Sequence, residues 1–228
     1  MVRHLVDERP FLHYSFDLWG TLIKSDPQFK KERSRYFFEN FNPLQKSLEE
    51  IEITFKRVDV MCNAINEKTG HNIRSEEMYL MVLAEIGETS DFSRYDLVEM
   101  NYAMENLAFT FMPVIYDTSI VETLSILRER KATISLLSNT AFITGQTLRK
   151  ILKRIGLAEY FTFQLYSDET GFSKPSLKMF EILYQHVLQI NRYVGKTEII
   201  HIGDNSVADI GGAVSYGIQS YLVNTKTN

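Results

Sequence analysis

Tyr14-Ser15-Phe16-Asp17-Leu18-Trp19-Gly20-Thr21-Leu22 is the stretch from which the fold can be read. An apolar run ends in an acid, and a Gly-Thr turn follows at once. That pattern predicts a central strand with Asp17 at its carboxyl edge, where open α/β sheets bind ligands. Nearly two hundred residues on, Ile199-Ile200-His201-Ile202-Gly203-Asp204-Asn205-Ser206-Val207-Ala208-Asp209 repeats the theme. Two such strand ends in one sheet can meet and hold a hard cation.

The rest of the chain fits that reading. Its 228 residues suit one large domain or a core carrying a smaller insertion. Hydrophobic residues make up 44%, enough for a full core without disulfide or metal staples. A formal net charge of -4 gives no basic face for nucleic acid. Cys62 is the only cysteine, so no internal disulfide forms and a buried structural thiol is expected. Met1–Pro10 is charged rather than apolar, and no window is long and apolar enough to span a membrane. These features together predict a cytoplasmic location.

From Asp26 to Met112 the spacing is helical, over Pro27–Phe41, Pro43–Glu67, Ser75–Ile86 and Ser93–Phe111. Pro27 and Pro43 suit helix first turns, Ser75 an N-cap, and Gly70 and Gly87 helix stops. After Pro113, strands and helices alternate. Helices are expected over Thr118–Glu129, Gly145–Ile155, Ser176–Leu188 and Val207–Tyr216. Strands are expected over Thr133–Leu137, Phe161–Tyr166, Glu198–Ile202 and Gln219–Val223. Such alternation predicts a parallel sheet covered on both faces. The first strand must join it, which makes the helical stretch an insertion lying over the strand ends.

Four of those ends carry polar residues: Asp17; Ser138-Asn139-Thr140; Lys174-Pro175; and Asp204 with Asp209. A carboxylate can attack phosphorus, a hydroxyl and an ammonium can hold phosphoryl oxygens, and a cation between two acids relieves anion–anion repulsion. That repulsion is large: two unit charges about 4 Å apart cost roughly 4 kcal/mol at an effective dielectric of 20. Taken singly, Asp17 reads as a turn acid, Ser138-Asn139 as an N-cap pair, Lys174 as a solvated lysine, and Asp204 and Asp209 as a cap and a first-turn acid. Their ordered combination is what favours chemistry.

In these four ordered motifs the chain resembles the haloacid dehalogenase superfamily of hydrolases, mostly phosphatases. The resemblance covers about 1–23 and 114–228 and implies a three-layer, Rossmann-like α/β core, with 24–113 as an inserted, mainly helical cap domain. It implies an aspartyl-phosphate on Asp17, with Ser138, Asn139 and Lys174 binding the substrate's phosphoryl oxygens. It also implies Mg²⁺ held by Asp17, Asp204 and the backbone carbonyl of Trp19. Asp209 would stand behind, holding Lys174 or a water on the ion. The expected partner is a small phosphorylated metabolite, with neither nucleic acid nor membrane involved.

Trp19 departs from the pattern. Family phosphatases carry there a second Asp that protonates the leaving alcohol and later activates water. An indole is a donor only, and the lost acid-base help is typically worth about 10²–10⁴-fold. Three consequences are open: preference for good leaving groups, an acid supplied by the cap (Asp26, His71, Glu76 or Glu77), or a phosphate- or partner-binding protein without turnover. The family's dehalogenases also lack this Asp, so 2-haloacid dehalogenation is a rival, with Lys24, Lys30, Arg33 or Arg35 as a carboxylate clamp. The acids of the fourth motif weigh against it, because dehalogenation needs no metal. The aromatics Tyr36-Phe37-Phe38 and Phe109–Met112 are expected to be core, His13 and His201 to be satisfied strand histidines, and the basic residues of 145–155 a solvated face.

Overall fold

The computed structural model describes residues 11–87 and 97–223. Met1–Pro10 and the predicted helix start at Ser93 lie outside them. Strand β1 is His13–Phe16, and all four of its residues are buried. It is the middle strand of a five-stranded parallel sheet. On one side lie β4 (Thr133–Ser138) and then β5 (Phe163–Tyr166); on the other lie β6 (Ile199–Gly203) and then β7 (Gln219–Leu222). The register sets Phe16 beside Leu136 on β4 and Ile202 on β6. The backbone N–H of Asp17 continues the ladder to the carbonyl of Ile202 at 2.8 Å. Successive strands depart from β1 in opposite directions, which opens a crevice at its carboxyl end.

Helices α5 (Ser119–Glu129), α6 (Gly145–Arg154), α7 (Ser167–Thr170) and α8 (Leu177–Ile190) connect the strands. The expected helix at Val207–Tyr216 is a π-helical turn over Ser206–Gly211 that runs into α9 (Gly212–Tyr216). The widened turn starts where the Asn205 side chain accepts from the N–H groups of Val207 and Ala208, at 2.8 and 2.9 Å. Leu148, Ile151 and Leu152 of α6 are buried, as its apolar stripe requires.

Between β1 and β4 the chain forms a pair of two-residue strands, β2 (Ile23–Lys24) and β3 (Val114–Ile115), antiparallel and too short to be legible in the sequence. They bracket four helices: α1 (Pro27–Asn40), α2 (Leu48–Thr69), α3 (Ser75–Ile86) and α4 (Leu97–Thr110). Asp26 caps α1 through the Gln28 N–H at 2.7 Å, with Pro27 in the first turn. Helix α2 starts at a Ser47–Glu50 capping box, not at Pro43, because the box satisfies the orphan N–H groups that Pro43 would leave open. Ser75 is likewise not the cap of α3. Arg74 precedes that helix and its N–H donates to the Glu77 carboxylate at 2.7 Å. Gly70 ends α2 at φ 71°, a left-handed stop.

The insertion has its own apolar cluster, which includes Phe37, Ile51, Phe55, Val58, Tyr79 and Met100. Phe142, from the loop after β4, completes it. Phe37 is buried while its neighbour Phe38 is exposed. Cys62 is buried, its thiol pushed up to about 11 by desolvation. The insertion is fastened to the strand ends at several points. The Asn72 N–H donates to the Gly171 carbonyl at 3.1 Å, and the Ser173 N–H to the Gly70 carbonyl at 3.0 Å. Lys150 of α6 pairs with Glu105, and Arg154 lies over the Phe109 ring at 4.0 Å. The basic side of α6 is therefore partly a docking surface for α4 rather than a wholly solvated face.

Candidate active site

The crevice at the end of β1 forms the floor of a cavity of about 970 Å³, roofed by α1 and α2. Asp17, Trp19, Asn139, Lys174, Asp204 and Asp209 all line it. Three carboxylates, those of Asp17, Asp204 and Asp209, offer oxygens within 4.8 Å of one another. Lys174 is buried among them. Its Nζ donates to Asp17 Oδ1 at 2.7 Å and to Asp209 Oδ1 at 2.6 Å. The Lys174 backbone is fixed by the Asn139 side chain: its N–H donates to Asn139 Oδ1 at 2.8 Å, and Asn139 Nδ2 donates to its carbonyl at 2.9 Å. The ends of β4, β6 and the loop before α8 are thus tied together around Asp17.

Two glycines permit this approach. Gly20 has φ +75°, and a Cβ there would lie 2.3 Å from Asp204 Oδ2. A Cβ on Gly203 would lie 2.2 Å from Asp209 Cγ. The Gly-Thr turn after Asp17 and the Gly before Asp204 therefore set how closely the acids can gather.

Both oxygens of Asp209 are occupied by protein donors. Oδ1 takes Lys174 and His201 Nε2 at 3.1 Å, and Oδ2 takes the Asn205 N–H at 2.9 Å. His201 is in turn bonded through Nδ1 to Ser15 Oγ at 2.9 Å. Burial favours the protonated form of Asp209, but Lys174 and His201 outweigh it and hold the carboxyl well below its usual range. Asp17 has the opposite balance. Burial pushes it up to about 7, against the pull of Lys174. Asp204 is half-exposed and is also raised, by burial and by the Asp209 charge. No side-chain donor reaches the Asp204 carboxylate among the described residues. One ammonium thus faces three carboxylates, and the uncompensated charge lies between Asp17 and Asp204. An all-oxygen pair of this kind fits a hard divalent cation.

Ser138 is at the end of β4 but does not line the cavity. It is buried, and its hydroxyl donates to the Asn139 carbonyl at 3.1 Å. Of the acids considered as replacements for the one missing at Trp19, only Asp26 lines the cavity, and one of its oxygens caps α1. Glu76 receives Asn101, Glu77 caps α3, and His71 sits on the Phe172 contact between insertion and core. Of the four basic residues considered as a clamp, Lys30 and Arg33 line the cavity, and only Arg33 is buried. The His201–Asp209 contact was not legible in the sequence, where His201 reads as an ordinary strand histidine. Its position one residue before the Ile202-Gly203-Asp204 strand end was the only available signal.

The profile of the haloacid dehalogenase-like hydrolases matches residues 13–217, and the chain belongs to that family. It is 35% identical over 96 residues to haloacid dehalogenase-like hydrolase domain-containing protein 3 of Bos taurus, covering 42% of this chain and 35% of that protein. It is 35% identical over 102 residues to a ribulose-1,5-bisphosphate 5-phosphatase of Halopiger xanaduensis, covering 44% and 39%. These matches span less than half the length of the curated relatives. Among solved structures, the magnesium-bound HAD-hydrolase YfnB of Bacillus subtilis superposes with a TM-score of 0.69 at 18% identity, covering 96% of this chain and 92% of that one. At that identity the likeness is one of fold.

Proposed function

We propose that the protein is a magnesium-dependent phosphohydrolase acting on a small phosphorylated compound, with residues 24–113 as its cap domain. The observation that carries this reading is the ammonium of Lys174 held between Asp17 and Asp209, with Asp204 beside them, on the floor of a cavity. A surplus of carboxylate there suits phosphoryl transfer, in which a cation is recruited together with the substrate. It would only repel the carboxylate of a haloacid. The Halopiger relative, named as a phosphatase, points the same way.

Asp17 and Asp204 would hold Mg²⁺, with the Trp19 carbonyl as a further ligand. The ion would offset the repulsion between an anionic nucleophile and an anionic phosphate. Asp17 then attacks phosphorus with the oxygen not engaged by Lys174. The bond to the leaving oxygen breaks and an aspartyl-phosphate forms, which water later cleaves. Lys174 orients Asp17 and faces the phosphoryl oxygens, and Asn139 lines the cavity beside it. Asp209, with His201 and Ser15 behind it, keeps Lys174 charged and in place. Ser138 completes the binding set only if its hydroxyl turns from the Asn139 carbonyl toward the cavity. With Trp19 at the acid's position, leaving groups that need no proton are favoured.

Turnover of an aryl phosphate with Mg²⁺, and again with chelator, tests this. Activity should require the ion, and Asp17→Asn should lower it by about 10⁴-fold or more. Unchanged turnover in that variant would remove Asp17 from the nucleophile role. Halide release from a 2-chlorinated short acid in the presence of chelator would establish the rival.

A further inference from the structure

The roof of the cavity holds a cation that is paired with no carboxylate among the described residues. Arg33, on α1, is 6% exposed and lines the cavity. Its guanidinium lies over the rings of Phe55 and Phe142, at 4.0 and 4.4 Å from their centroids, and both rings line the same cavity. Nε is buried without a hydrogen-bond partner, and the side chain pairs with no carboxylate among the described residues. Asp59 and Tyr79 are near enough to influence it electrostatically, yet neither is bonded to it. Lys30, Lys31 and Lys56 also line the cavity, but all three are exposed.

An arginine that served only to pack would keep its head in water or against an acid. Here Cζ of the guanidinium lies over both rings, a cation–π contact that leaves its charge without a carboxylate partner among the described residues. The N–H donors of a guanidinium lie in its plane and are arranged in the fork that matches carboxylate and phosphate. Burial shifts the group in the direction expected for a cation lacking its counter-ion. Clamping also removes the rotamer freedom that would otherwise be lost on binding.

We propose that Arg33 binds a second anionic group of the substrate, which is therefore a small phosphate monoester with a carboxylate or a further phosphate at its other end. The proposal rests on the phosphohydrolase reading above. The floor takes the phosphoryl group to be transferred, and the roof selects by the charge of the tail.

The test uses pairs of substrates that differ only in the tail: phosphoglycolate against ethyl phosphate, and propane-1,3-diol bisphosphate against propyl phosphate. Wild-type protein with Mg²⁺ should prefer the anionic member of at least one pair by about 10- to 100-fold in kcat/KM. The pair that shows the preference distinguishes carboxylate from phosphate. Arg33→Met should bring the ratio to within about threefold of unity, and Arg33→Lys should leave an intermediate ratio, since charge survives but the fork does not. If no ester is turned over, the phosphohydrolase reading fails by itself. The same pairs are then compared by binding, read from the fluorescence of Trp19, the only tryptophan, which lines the cavity. Equal wild-type preference for charged and neutral tails overturns the proposal even if neither variant folds. So does a preference that survives in Arg33→Met.

Discussion

The floor and the roof of the cavity treat buried charge in opposite ways. On the floor, Lys174 is shared by Asp17 and Asp209, and Asp209 is further held by His201 and a backbone N–H. On the roof, Arg33 is buried to a similar degree, lies over aromatic rings and is bonded to no carboxylate among the described residues, with Asp59 acting on it only from a distance. Breaking a buried ion pair leaves a stranded charge and costs several kcal/mol, whereas a buried charge with no protein partner can gain only from a ligand. The difference separates groups that help hold the strand ends together from a group available to bind.

The largest effect should come from breaking the floor. Lys174→Met strands Asp17 against Asp209 without their shared cation, a loss of about 3–5 kcal/mol. At this chain length that lowers the melting temperature on the order of 10 °C, and turnover should vanish with it. A scan showing an unchanged midpoint would mean that the pairing contributes little to stability.

Between floor and roof stands Trp19. Trp19→Asp restores a proton donor at the carboxyl edge and should raise kcat/KM on alkyl phosphates by at least about 10-fold, within the usual reach of acid-base help, with little change on aryl phosphates. Equal gains on both classes would show that Trp19 acts by blocking the cavity rather than by lacking a proton.

The smallest effect concerns a paired polar group at the far end of β1. His13 is buried, bonded to Thr133 Oγ1 at 2.7 Å and Ser135 Oγ at 2.8 Å, and stacked on Phe163. Burial lowers it to about 3, from an ordinary value near 6.5. The folded protein keeps it neutral while the unfolded chain takes up a proton below pH 6.5. Its contribution is thus complete above that pH and is lost as pH falls toward 3, at about 1.4 kcal/mol per unit. In urea unfolding at pH 7 and pH 5, His13→Gln should reduce the difference between the two values. An identical difference in wild type and variant would assign the acid sensitivity elsewhere.

The floor was legible in the sequence because a parallel sheet converts chain order into position. Asp17, Asn139, Lys174 and Asp204 each follow an apolar run or precede a helix, and the topology can bring such ends only to one edge. Asp209 was legible as an acid one helical turn beyond. The three-layer core followed from the same alternation. What stayed hidden depends on packing between distant segments. Strands β2 and β3 have two residues each, too few for a period. The reciprocal Ser47–Glu50 capping box displaced the proline-based start of α2, and at α3 the Glu77 carboxylate takes the Arg74 N–H in place of a Ser75 cap. Arg33 was one of several basic residues in 24–35. Only the meeting of α1 and α2 with the Phe142 loop separates it from its solvated neighbours.

The central claim is that Asp17 takes the phosphoryl group, and it can be observed directly. On the proposed mechanism, the leaving group of an aryl phosphate would depart unaided, while cleavage of the aspartyl-phosphate would lack an acid-base residue at position 19. The phosphorylated form should therefore accumulate. Rapid-quench kinetics with Mg²⁺ should show a burst approaching one equivalent of phenol, with peptide mapping placing a phosphoryl group on Asp17. Steady turnover with no burst and an unmodified Asp17 peptide would contradict the account.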